Sequence, residues 1–131
     1  MLGYKENLMK LALENGDFRH VLYTAQGGQL VVMSLLPGEE IGMEVHLGVD
    51  QFFWIVKGGA RAVLDGEEVM VGEGEVLIVP RGTNHNVINA SVSELLKLFT
   101  VYTPPNHPDG TIHKTKADAM KAEAEHKKGV V

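Results

Sequence analysis

"GEEIGMEVHLGVDQFFWIVKG", residues 38–58, decides how the chain is read. Its first half alternates, with Met43, Val45 and Leu47 on one side and Glu44 and His46 on the other. An extended strand sends every second side chain to the same face, so Glu44 and His46 face the same way. The next run opens near Asp50, which makes Gln51 a third inward polar residue. Alternation sends Phe53 inward with Gln51 and turns Phe52 and Trp54 to the opposite face. A histidine by itself in such a pattern reads as a structural residue. An inward carboxylate beside it needs a counter-ion or hydration at the mouth of the fold.

The texture on both sides of this stretch is β. Towards the N-terminus, "FRHVLYT" and "QLVVMSL" are β-rich runs joined by the Gly-containing turn "AQGGQ". Towards the C-terminus come "ARAVL" and "EEVMV", separated by Asp65-Gly66, the dipeptide that most strongly marks a tight hairpin. "EVLIVP", "HNVIN" and "ELLKLFTVY" follow. Short strands at intervals of about 8–12 residues predict a sandwich or barrel rather than strand–helix–strand units. Residues 1–16 are expected to form a helical segment, with Leu8, Leu11 and Ala12 on one face and Asn15-Gly16 as its stop. Residues 103–131 are expected to form a loop rich in proline and glycine and then a helical tail, opened by Thr115 with Asp118 three residues on. The expected organisation is one domain, with the barrel over 17–102.

A second stretch, "GEVLIVPRGTNHNVIN" at 74–89, places His85 at the start of a strand, just after a turn that can re-aim the chain. A metal held inside a barrel needs several imidazole or oxygen donors converging from different strands.

Together the two stretches resemble the paired motifs of the cupin superfamily, and in particular its small single-domain members. The first motif is carried by Gly38, Glu44, His46, Gln51 and Gly58, at spacings of five, one, four and six residues. The second is carried by Gly74, Pro80, Gly82, His85 and Asn89, and matches the family pattern at every position. The resemblance implies an all-β, single-domain jelly-roll barrel with short terminal helices. It implies a pocket in the barrel mouth and one divalent metal ion (Fe, Mn, Ni or Zn) held by Glu44, His46, Gln51 and His85. It also implies a homodimer.

Two positions depart from the family. Glu44 stands where the pattern has its first histidine, and Gln51 stands where it has its glutamate. Without Gln51 the set is two histidines and one carboxylate, a type that suits Fe(II) and leaves positions open. With Gln51 it is similar to the inventory of zinc-dependent phosphomannose isomerases, with Gln and Glu exchanged. Phe53, Arg61, His107 and His113 are further candidates for a substrate pocket, with Phe53 otherwise read as core packing and Arg61 as solvated. The two histidines of "PPNHPDGTIHK" either fold over the barrel mouth or lie on an exposed loop. Gly58, Gly82 and Asn89 read as turn residues.

Composition narrows the rest. The chain has 131 residues, 44% hydrophobic and 22% charged, an ordinary globular make-up. A net charge of −5 without a basic stripe argues against nucleic acid and anionic membranes as partners. The absence of cysteine excludes disulfides and thiolate metal sites and fits a cytoplasmic location. No apolar run is long enough to span a membrane, and the N-terminus does not read as a signal peptide. The expected function is a metal-dependent enzyme acting on an oxygen-rich small molecule, dioxygenase-like or sugar-isomerase-like. The alternative is a non-catalytic module that binds a sugar or small acid.

Overall fold

The computed structural model describes residues 3–127, and the side chains of 3–125. The ends of both terminal segments, Met1–Leu2 and 128–131, lie outside the described residues. The order is α1 (Leu8–Glu14), β1 (Arg19–Thr24), β2 (Gln29–Leu35), β3 (Asp50–Lys57), β4 (Ala60–Leu64), β5 (Glu67–Val71), β6 (Val76–Val79), β7 (His85–Asn89), β8 (Leu96–Thr103), β9 (Ile112–His113) and α2 (Lys116–Lys127). Six strands form one sheet in the order β6-β3-β8-β2-β1-β9, and three form the other in the order β5-β4-β7. Phe53, Val31 and Met33 of the large sheet share one core with Ala60, Ala62 and Val87 of the small one. This is the expected all-β jelly roll, built as two facing sheets.

Local chemistry explains the turns. Asp65 and Gly66 both take positive φ, 48° and 86°, as a tight two-residue hairpin between β4 and β5 requires. Gly58 is needed for space as well as conformation. Its φ is +91°, and a Cβ there would stand 2.9 Å from the Leu95 carbonyl oxygen. Asn89 does more than turn the chain. It is buried at the end of β7. Its amide donates to the carbonyls of Leu35, Leu36 and Glu94, and its oxygen accepts from the Ser91 amide.

Two expectations about elements are corrected. The N-terminal helix is shorter than residues 1–16: it starts at Leu8, where the Asn7 side chain accepts from the Lys10 amide as an N-cap. Residues 42–48 are not a regular strand. They are held by single bridges, Glu40 to Ile88 and Glu44 to His85, whose register slips by one residue around Gly42, at φ 110°. The expected sidedness nonetheless survives. Met43, Val45 and Leu47 are exposed, while Glu44 and His46 face inward towards β7.

On the outer face of the large sheet, α1 packs Ala12 against Val32 and Val56. Phe52, Trp54 and Phe99 stack in a ribbon there, with ring centroids 6.0 and 5.0 Å apart. Their β6 neighbours in register, Ile78 and Val76, are 51% and 47% exposed, so an apolar strip remains open. The Asp118 amide bonds the Thr115 hydroxyl at the start of α2, as the sequence suggests. Among the described residues, no helix is long and apolar enough to cross a membrane.

Candidate metal centre

Glu44 and His85 face each other across a reciprocal pair of backbone hydrogen bonds, each 2.8 Å. Directly opposed residues of an antiparallel pair project to the same side, so the carboxylate and the imidazole are neighbours. His46, two residues on, shares that side. Its carbonyl accepts from the Gly82 amide at 2.8 Å, which ties the segment to the turn before His85. Asn86 secures the other end, accepting from the Gly42 amide and donating to Glu40. The matched proline–glycine turn therefore sets both histidines at once.

The ligand atoms of Glu44, His46 and His85 lie within 4.8 Å of one another. That is close to the span one ion requires at bond lengths of about 2.0–2.2 Å. His46 Nε2 stands 3.8 Å from Glu44 Oε2, and the two imidazole centroids are 5.4 Å apart. Burial, then the neighbouring His85 and Arg19, lower the His46 pKa, while Glu123 of α2 opposes them. A neutral imidazole is the form that binds a metal. His85 Nδ1 donates to the Thr83 carbonyl oxygen at 3.0 Å, which leaves Nε2 as the nitrogen turned to the site.

Gln51 is 2% exposed. Its amide nitrogen donates to Thr100 Oγ1 at 3.0 Å, which leaves Oε1 as the free end. Three buried atoms here have no hydrogen-bond partner: His46 Nε2, His85 Nε2 and Gln51 Oε1. Buried polar atoms are nearly always paired. A set of acceptors left bare beside a carboxylate fits a cation.

The other candidates separate cleanly. Phe53 is buried, with its ring 6.3 Å from that of His85, and forms a wall of the site. Arg61 is placed outside, the solvated alternative, and not in the pocket. Its neighbours Ala60 and Ala62 take the inner positions of β4, so alternation turns Arg61 outward, where it pairs with Glu68 at 3.5 Å. His107 and His113 are held by contacts to the buried Tyr102 and Arg19. Gln29 clamps the loop, donating to the His107 carbonyl and accepting from the amides of Asn106 and His107. The His107 ring then lies 3.2 Å from the Tyr102 hydroxyl. Burial, aided by Arg19, His113 and His46, drives the His107 pKa down to about 3.

Two residues beside the site escaped the sequence reading. Tyr102 is fully buried, 6.1 Å ring to ring from His46, and burial pushes its pKa up to about 12. Arg19 is 7% exposed and bonds His113 Nδ1 through Nη1 at 3.1 Å. The available signal was a cation in step with Val21 on the apolar face of a strand pattern.

The cupin domain model matches residues 31–102 of this chain. The uncharacterized protein YrkC of Bacillus subtilis is 42% identical over 123 residues, which covers 89% of this chain and 66% of that protein. The chain thus spans just under two thirds of that relative's length. Protein L612 of Acanthamoeba polyphaga mimivirus is 41% identical, over 83% of this chain and 70% of its own. Among solved structures, BH2720 from Bacillus halodurans superposes with a TM-score of 0.88 at 35% identity, covering 90% of this chain and 93% of that one.

Proposed function

The chain belongs to the cupin domain family, and we propose that it is a metal-dependent enzyme acting on an oxygen-rich small molecule. Glu44, His46, Gln51 and His85 hold one divalent ion, iron, manganese, nickel or zinc. One observation carries this reading: His46 Nε2, His85 Nε2 and Gln51 Oε1 are buried without partners, and the Glu44 carboxylate stands beside the two imidazoles. Each bare acceptor costs about 1–3 kcal/mol, and a shared cation offsets all of them together. When bound, the ion supplies Lewis acidity towards a substrate oxygen and, if redox-active, oxygen chemistry.

The chain's own groups supply the rest. Phe53 keeps water from one side of the site. Tyr102 holds its proton at neutral pH, because burial raises its pKa to about 12, and can donate a hydrogen bond to a substrate oxygen. His107 shares a hydrogen bond with that hydroxyl at 3.2 Å and, held neutral by burial, fixes how the hydroxyl is oriented. Dioxygenase-like and isomerase-like chemistry both use this arrangement. The exposed strip beside Phe52 and Trp54 supports a homodimer through the outer face of the large sheet. Light scattering on Ile78→Glu checks it: the variant is expected to be monomeric, and an unchanged mass refutes that surface.

The deciding test is metal content by mass spectrometry on untagged protein, beside the triple variant Glu44→Ala, His46→Ala, His85→Ala. Near-stoichiometric metal, lost in the variant, is expected. Iron, manganese or nickel directs the assay to oxygen uptake, and zinc directs it to isomerisation. No metal in the wild type, even after reconstitution, overturns the reading in favour of a non-catalytic binding cupin.

A further inference from the structure

Arg19 is a buried cation whose charge the fold leaves unanswered. It opens β1 opposite Met33, on the inner face of the large sheet. It takes part in none of the ion pairs found among the described residues. Its Nη1 meets a histidine nitrogen, and its buried Nε has no partner. Burying a guanidinium without an anion is costly, and proteins accept that cost where a ligand completes the pair. The side chain is also correctly placed for this. Arg19 and Glu44 line one cavity of about 290 Å³, between the 40–44 segment and α2. The same guanidinium acts on His46, Tyr102, His107 and His113, so it borders the whole group.

We propose that Arg19 is the ligand's carboxylate anchor, and that the site takes a small carboxylic acid whose second oxygen reaches the centre formed by Glu44, His46, Gln51 and His85. The second half of this statement rests on the metal reading above; the first half does not. A guanidinium presents a planar fork that matches a carboxylate with two parallel hydrogen bonds. The cavity is small, which suits an acid of a few carbons. Glu40, Glu44 and Glu123 also line it, which disfavours a doubly charged phosphate. The Tyr102 hydroxyl lies near enough to Arg19 for a hydrogen bond with it to influence its ionisation, so it can donate to the same ligand.

The test is calorimetric titration of glycolate, lactate and pyruvate, each singly charged with a second oxygen, into the full chain, zinc-loaded and metal-free, as wild type, Arg19→Gln and Arg19→Lys. At least one acid is expected to bind the zinc-loaded wild type. Arg19→Gln is expected to weaken it about tenfold or more, the worth of a charge-assisted pair, with zinc stoichiometry unchanged. Arg19→Lys keeps the charge and loses the fork, so an intermediate loss of about threefold or more is expected. Equal binding in all three proteins, or no binding to the wild type, overturns the proposal. If Arg19→Gln does not fold, Arg19→Lys decides by the same comparison. If the wild type takes up no zinc, the metal reading fails separately and Arg19 is judged on the metal-free protein. There, acid binding lost in the variants upholds the anchor, and unchanged or absent binding overturns it.

Discussion

Replacing Gln51 by leucine should stabilise the metal-free protein and weaken its response to metal. In the metal-free chain Gln51 Oε1 is a buried acceptor without a partner, a burden of about 1–3 kcal/mol. Leucine removes that burden and adds apolar burial worth about 1.5–3 kcal/mol. Against this stands the lost bond from the Gln51 amide to Thr100 Oγ1, about 0.5–1.5 kcal/mol. The metal-free variant is therefore expected to exceed the wild type by about 1–5 kcal/mol, a rise of roughly 3–15 °C in melting temperature for a chain of this length. Metal narrows that advantage. A wild type at a hundredfold excess of zinc over its Kd gains about 2.7 kcal/mol. Losing one of four donors with a tenfold loss of affinity removes about 1.4 kcal/mol of that gain. The assay is thermal and urea unfolding of both proteins, with a chelator and with zinc. Two results refute the reasoning: a metal-free variant less stable by more than about 2 kcal/mol, which makes Gln51 a structural residue, or an undiminished zinc shift, which removes it from the ligand set.

Three further outcomes follow from particular contacts. Asn89→Ala removes the side-chain donor to the Leu35 and Glu94 carbonyls, while Leu36 keeps the Glu39 amide, and urea unfolding should show a loss of about 2–4 kcal/mol; a loss under about 1 kcal/mol discounts the clamp. Gly58→Ala must fit a Cβ 2.9 Å from a carbonyl oxygen at φ +91°, so a lowered melting temperature corresponding to about 1–3 kcal/mol is expected, and an unchanged one contradicts the close approach. His107, with its pKa lowered to about 3 in the fold, binds its proton more tightly when unfolded. Its stabilising contribution is complete above the unfolded value of about 6.5 and declines as pH falls towards the folded one. Between pH 7 and pH 5 the metal-free wild type should lose about 2 kcal/mol through this residue; His107→Asn should lack that part of the slope, and parallel slopes would show that the ring is not buried neutral.

How much of the site was legible depends on how far apart in the chain its determinants lie. Glu44, His46, Gln51 and His85 could be picked out because each sits within a motif whose spacing is local. Phe53 followed from its step with Gln51 on one strand. The Asp65-Gly66 hairpin and the Asn15-Gly16 helix stop are equally local and appear where expected. Residues 42–48 show the limit. Their alternation was correct, yet Gly42 breaks the ladder, and only the pairing with β7 shows that two single bridges hold the segment.

By itself the sequence determined the fold class, the paired motifs, the places of Glu44, His46, Gln51 and His85 within them and the sidedness of Gln51 and Phe53, because alternation and turn chemistry act between neighbours in the chain. Tertiary structure alone decided which arginine enters the site. Arg19 and Arg61 both sit in alternating strands, and a face becomes interior only when the opposite sheet packs on it. Arg19 stands opposite Met33 in the core, while Arg61 meets Glu68 outside it. Packing likewise brought Gln29 to the backbone of His107, 78 residues away, and so set a loop histidine against Tyr102. Such contacts are settled by register and closure across strands, which no local spacing records.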